Sequence, residues 1–215
     1  MPQDAYNLRY LCSELNSLLQ GGKINRIIQP IEEEVVFTVW TGRETVKLVL
    51  DVNPAMPRIG IAKTEKVAPL TPLNFCMLLR KHLLNATINA IELVGFDRVV
   101  KISLTASDEF VSAVEKTLYV ELMGRYSNVI LTENGKVLGG NRGINFFDNG
   151  VRPLIVNKNY VLPPSNGKKE PCDKSLIDDF KLAESDKNLA EFIIAKIQTF
   201  FYQTYTRYNL QRKRL

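Results

Sequence analysis

The pair Asp97-Arg98 lies in Gly95-Phe96-Asp97-Arg98, a four-residue break between two alternating apolar runs. An arginine so placed can clamp a phosphate or stack on a base, and an aspartate beside it can accept from base amines or hold the guanidinium in place. Aspartate also tolerates turn geometry and a surface arginine is readily solvated, so residue types alone favour an ordinary polar turn. A second group lies in LYVELMGRYSNVILT, residues 118–132, where Glu121, Gly124 and Arg125 interrupt strand-like sequence. Glycine within a strand predicts a bulge or a close backbone approach, and a bulge re-aims its neighbours. Two readings stand side by side there: an internal ion pair at a strand edge, worth little if exposed, or side chains turned toward a ligand. Arg80-Lys81-His82 is a third group with the charge to touch phosphate, although cations at a helix C-terminus are expected from the helix dipole alone.

Other chemistries find less support. His82 is the single histidine and has no serine or cysteine nucleophile near it in sequence, so a hydrolase triad is not indicated. Cys12, Cys76 and Cys172 are odd in number and widely spaced, without the Cys-x-x-Cys of a familiar zinc site. Gly139-Gly140-Asn141-Arg142-Gly143 lacks the Lys-Ser/Thr ending of a phosphate loop. Nothing calls for a cofactor. The chain begins Met1-Pro2, and a processed amino-terminal proline can attack a sugar as a secondary amine, the chemistry of the formamidopyrimidine-DNA glycosylases. Those enzymes carry glutamate where this chain has Gln3, and zinc-finger cysteines that it lacks, so Pro2 reads as a disordered terminus.

These groups need a scaffold, and the composition provides for one. The chain has 215 residues, 45% hydrophobic and 24% charged, ordinary for a soluble protein with a real core. Its apolar runs are far short of a membrane span, and its amino end does not resemble a signal peptide. A cytoplasmic protein with no membrane partner is expected. Residues 167–215 carry 10 basic and 7 acidic groups against 18 and 16 in residues 1–166, so the main body is only +2. Charge permits a polyanionic partner without demanding one. The exception is the end, RYNLQRKRL, with Arg207, Arg212, Lys213 and Arg214 and no acid.

Asp4 caps a predicted first helix with Leu8, Leu11, Leu15, Leu18 and Leu19 at helical spacing, and Gly21-Gly22 ends it. Strands follow at 23–29, 35–40 and 45–52, the last two joined by Thr41-Gly42-Arg43-Glu44, and a proline-rich loop leads to a short edge strand. Thr71-Pro72 predicts the start of a second helix. Strands resume at 87–94 and 99–104, two more come from 118–132, and Glu133-Asn134-Gly135-Lys136 is a hairpin signal into 137–140. The pattern fades into loop over 141–160, and 162–175 has linker composition. Beyond it a short amphipathic helix and a longer one from Leu189 to about Arg212 are expected. The fold class is therefore α+β: an antiparallel, β-rich domain with helices over 1–165, then a helical module over 166–215. The basic helix reads as unfinished, as in a piece of a longer protein.

Four ordered blocks, FCMLLRKH (75–82), GFDR (95–98), LYVELMGRYSNVILT (118–132) and NYVLPP (159–164), together resemble the amino-terminal domain of the NFACT ribosome quality-control factors, bacterial members of which were long labelled fibronectin-binding protein A. The resemblance implies a domain similar in fold to the amino-terminal domain of the formamidopyrimidine-DNA glycosylases without their chemistry, followed by the start of a helix-hairpin-helix module. It implies binding of tRNA, alanyl-tRNA in bacteria, and of large ribosomal subunits that hold a stalled peptidyl-tRNA, with addition of a C-terminal alanine tail to the stalled chain. The ribosome's own RNA makes those peptide bonds, so the chain is expected to hold tRNA and not to be an enzyme. Family residues tied to tRNA map onto Asp97, Arg98, Glu121, Leu122 and Met123. Arg125 joins them from the residue reading, as the bulged centre of 118–132 is expected to present Glu121, Met123 and Arg125 at an RNA-binding edge. Arg80, Lys81, His82, Arg207 and Arg212 are candidates for the RNA backbone. The competing expectations are a surface adhesin for fibronectin or fibrinogen, and a glycosylase-like enzyme acting through Pro2.

Overall fold

The computed structural model describes residues 3–62, 64, 66–108, 111–142, 152, 154–164 and 173. Pro2, the segment 143–150, most of the linker, both predicted C-terminal helices, Arg207 and Arg212 lie outside the described residues.

The first helix, α1 (Ala5–Leu19), begins where its capping residue predicts: the Asp4 side chain accepts from the Asn7 backbone N–H at 2.7 Å. Leu8, Cys12, Leu15 and Leu19 form its buried stripe. Three strands follow as an antiparallel meander, β1 (Lys23–Ile31), β2 (Glu34–Trp40) and β3 (Thr45–Asp51), with β4 (Arg58–Ile61) added to the outer edge of β3. Gln3 reaches that edge, donating to the Ile59 carbonyl and accepting from the Ile59 N–H, both at 2.8 Å.

The second helix, α2 (Asn74–Leu83), starts two residues later than a Thr71 cap predicts. Its N-cap is Leu73, which has no capping side chain. Docking outweighs capping here. A start at Asn74 turns Phe75, Cys76, Leu79 and Leu83 into the core and lets Arg80 Nε donate to the Ile27 carbonyl of β1 at 2.8 Å.

Then come β5 (Thr87–Leu93), β6 (Val99–Asp108), β7 (Val111–Glu121), β8 (Asn128–Glu133) and β9 (Lys136–Gly140). β6 and β7 run well past the apolar segments that predict them, because their polar ends still pair with each other from Ser103–Thr117 to Asp108–Val111. All pairings are antiparallel, in one nine-stranded sheet of order β4-β3-β2-β1-β5-β6-β7-β8-β9.

The sheet curls on itself. Asn141, just past β9, accepts from Gln29 of β1 at 2.7 Å and donates to the Glu32 carbonyl at 2.9 Å. One core of Val, Leu, Ile and Phe side chains therefore runs from α1 through β1–β3 and α2 to β6–β8. Residues 154–160, within the segment expected to be loop, are loop and are held against β9 by backbone hydrogen bonds. Asn157 and Val137 are joined at 2.8 Å, Val137 and Lys158 at 2.9 Å, and Tyr160 donates its N–H to the Gly135 carbonyl at 2.8 Å. The α+β, antiparallel β-rich class is what the described residues form.

Candidate functional site

Antiparallel pairing brings two of the predicted groups to one end of the sheet. β6 begins at Val99 and β7 ends at Glu121, and these two residues are partners. The β5–β6 turn and the β7–β8 turn are thus neighbours, locked by the Leu122 N–H donating to the Arg98 carbonyl at 2.9 Å. Asp97 Oδ1 accepts from the adjacent Arg98 N–H at 2.7 Å. Phe96 is buried against the Tyr6 ring of α1, edge to face with centroids 4.8 Å apart. Both Asp97 and Arg98 are half-buried. Burial pulls the Arg98 guanidinium below its usual pKa while Asp97 opposes the shift, so this group has already shed part of its water.

Residues 118–132 supply the end of one strand and the whole of the next, the two strands expected there. β7 and β8 pair in unbroken register from Lys116–Glu133 to Glu121–Asn128, and Gly124–Tyr126 make a short 3₁₀ turn between them. The expected bulge is therefore a hairpin turn, and Gly124 is in it because the backbone there has φ 59°. A Cβ at Gly124 would sit 3.7 Å from the Pro54 carbonyl oxygen, an ordinary contact. Gly124→Val should consequently lower stability by about 1–2 kcal/mol through left-handed backbone strain and not through a clash. Thermal unfolding checks this, and a valine variant as stable as the parent refutes it.

The expectation that this stretch turns Glu121 outward also needs correction. Glu121 is 3% exposed. Its carboxylate accepts from Tyr160 Oη at 2.7 Å and from both Arg152 guanidinium nitrogens, one at 3.1 Å. Tyr160 stacks on Tyr119 of β7 with centroids 3.9 Å apart, and the Arg152 guanidinium lies over the Tyr160 ring. Burial and the neighbouring Glu121 charge raise the Tyr160 pKa, keeping its phenol protonated to donate. Glu121 thus fastens the returning segment to the sheet. Leu122 is 1% exposed and belongs to the main core. The physical reason is register: Glu121 is still a paired strand residue, and Leu122 is still tied to Arg98.

Met123 is half-buried and Arg125 exposed, so the surface of this turn comes from these two and Tyr126. Arg125 donates to Tyr126 Oη at 2.6 Å and its guanidinium lies 4.7 Å from that ring. Arg142 props the turn from behind, donating to the Arg125 carbonyl and, at 3.4 Å, to the Val52 carbonyl. Arg152, Tyr160 and Arg142 are not among the site residues expected from the sequence. Tyr160 alone had a signal, its place in the NYVLPP block.

Arg80, Lys81 and His82 stand apart from these turns on α2. The Arg80 head is committed to Ile27, and Lys81 is exposed. His82 Nδ1 is 3.4 Å from Lys116 Nζ, a buried cation paired with Glu133. Burial first, then Lys116 and Lys81, lower the His82 pKa, while Glu133 opposes them. The unfolded chain therefore takes up a proton near 6.5 that the folded chain resists. Stability from this residue is complete above that value and is lost as pH falls. His82→Asn should flatten the stability profile below about pH 6.5. As the chain has one histidine, NMR titration reads it directly; a folded value at or above 6.5 would contradict the assignment.

Among the described residues there is no cluster of three or more His, Cys, Asp or Glu fit for a metal ion. No helix among them is long and apolar enough to cross a membrane.

Residues 4–205 match the family described as NFACT N-terminal and middle domains. The chain is similar to the Rqc2 homolog RqcH of Streptococcus pneumoniae serotype 2, 34% identical over 186 residues, which covers 86% of this chain and 33% of that protein. It is more distantly similar to ribosome quality control complex subunit 2 of Saccharomyces cerevisiae, 23% identical over 191 residues, covering 89% and 17%. Among solved structures, the N-terminal domain of fibronectin-binding protein PavA from Streptococcus pneumoniae superposes with a TM-score of 0.83 at 28% identity, covering 99% of this chain and 83% of that one. The chain spans about a third of the length of the bacterial relative it matches.

Proposed function

Because the chain belongs to the NFACT family of ribosome quality-control proteins, we propose that it is the tRNA-holding, large-subunit-binding part of a cytoplasmic factor that supports alanine tailing of stalled nascent chains. The observation that carries this reading is the pairing of the β5–β6 and β7–β8 turns through the Leu122–Arg98 hydrogen bond. It gathers Asp97, Arg98, Met123, Arg125 and Tyr126 along one rigid rim. A carboxylate, two guanidinium groups, a thioether and an exposed aromatic ring suit the edges and faces of unpaired bases. The body's low net charge suits reading by a few side chains and leaves bulk phosphate attraction to other regions. Glu121 and Leu122 serve as supports for that rim. The chemistry stays with the ribosome, and alanyl-tRNA and stalled peptidyl-tRNA are the family's expected partners.

Anisotropy of labelled tRNA titrated with this chain at fixed salt, together with co-sedimentation with large subunits, tests the proposal. Saturable binding to both is expected, and absence of tRNA binding at every salt refutes the reading for this chain. The adhesin reading draws on the description of PavA as fibronectin-binding. Immobilised fibronectin in the same titration should show no saturable binding. The glycosylase reading draws only on Pro2, and borohydride trapping on damaged duplex should show no adduct.

A further inference from the structure

A cleft of about 400 Å³ opens between α1 and β5, and its far end reaches the β5–β6 turn. Pockets for small ligands run from about 300 to 1,000 Å³, so it has room for one nucleotide. Its floor is apolar, formed by Cys12 at 3% and Ile91 at 2% exposure. Burial raises the Cys12 pKa to about 11, which leaves a neutral thiol suited to packing and not to nucleophilic attack. Its walls carry Arg9 and Ser13 from α1 and Glu92 from β5, all exposed. They offer a guanidinium, a hydroxyl and a carboxylate around one apolar floor.

Gly95 forms the lip, with no heavy atom within 4 Å of where its Cβ would be. Asp97 follows two residues later. The spacing between cleft and turn is held at both ends. Asn16 Oδ1 accepts from the Ile91 N–H at 2.8 Å, fastening α1 to β5, and Tyr6 meets Phe96 at the turn.

We infer that this cleft receives one unstacked base of the RNA held at the Asp97-Arg98 turn. Arg9 covers a face or clamps the adjoining phosphate, and Ser13 and Glu92 meet the polar edge. The inference rests on the tRNA-binding reading and adds to it a site on α1, which that reading does not use.

Ser13→Trp would fill the cleft from an exposed helix position without touching the turn. The tRNA affinity of this chain should fall roughly 10- to 100-fold, the worth of one stacked base. The slope of affinity against salt should stay unchanged, since no phosphate contact is removed. Arg9→Ala, a milder change on the same wall, should weaken binding roughly tenfold with the circular dichroism of the parent. Wild-type affinity in both variants, with binding lost in Asp97→Ala/Arg98→Ala, would overturn the cleft and leave the tRNA reading standing. Wild-type affinity in all three would overturn both.

Discussion

Asp97→Ala/Arg98→Ala should lose tRNA binding by about 100-fold or more while keeping its fold. Each guanidinium or carboxylate contact to a base is worth about 1–3 kcal/mol, and two are removed together. Binding should respond so strongly because the turn is pre-organised: Asp97 caps the Arg98 N–H, Phe96 is buried against Tyr6, and the Arg98 carbonyl is tied to Leu122. Arg98 is also half-buried, so less water must leave when it meets RNA. The folding cost should be small. The lost Asp97–Arg98 hydrogen bond is worth roughly 0.5–1.5 kcal/mol, and the backbone bond from Leu122 survives. Arg98→Lys keeps the charge but not the planar fork, and should recover only part of the affinity. The readout is tRNA affinity at fixed salt beside thermal unfolding. Affinity within twofold of the parent would return the pair to an ordinary turn, and a melting point lowered as much as by a core mutation would make its role structural.

Glu121→Ala should give the largest loss of stability among these variants, roughly 3–5 kcal/mol, because it leaves the Arg152 guanidinium and the Tyr160 hydroxyl without their partner in a closed site. For a chain of this size that lowers the melting temperature by roughly 10 °C. The effect should be local as well as global. Segment 154–161 is held to the sheet by this carboxylate, the Tyr119–Tyr160 stack and the backbone bonds to β9. Limited proteolysis and hydrogen exchange there should accelerate most. Glu121→Gln retains the volume and an acceptor for Tyr160 but loses the ion pair, so it should fall between. If tRNA affinity drops, it should do so in step with the opening of that segment. Parent-like stability and protection in Glu121→Ala would refute the fastening role and favour a direct contact with RNA.

The amino-acid sequence by itself determined the antiparallel, β-rich α+β class, most strand positions, the Asp4 cap and the Asn134-Gly135 hairpin, because each depends on a few adjacent residues. It also marked out Asp97, Arg98 and the 118–132 stretch as unusual. Tertiary structure decided what those residues face. Pairing Val99 with Glu121 made neighbours of two turns more than twenty residues apart. The same pairing turned Glu121 inward, toward partners 31 and 39 residues away. No local pattern encodes such distances. Thr71 and α2 show the same limit: a favourable cap worth about 1 kcal/mol yielded to a start that buries four side chains. Gly124 illustrates it from the other side. A glycine announces an unusual backbone, but only the register of β7 against β8 distinguishes a bulge within one strand from a turn between two.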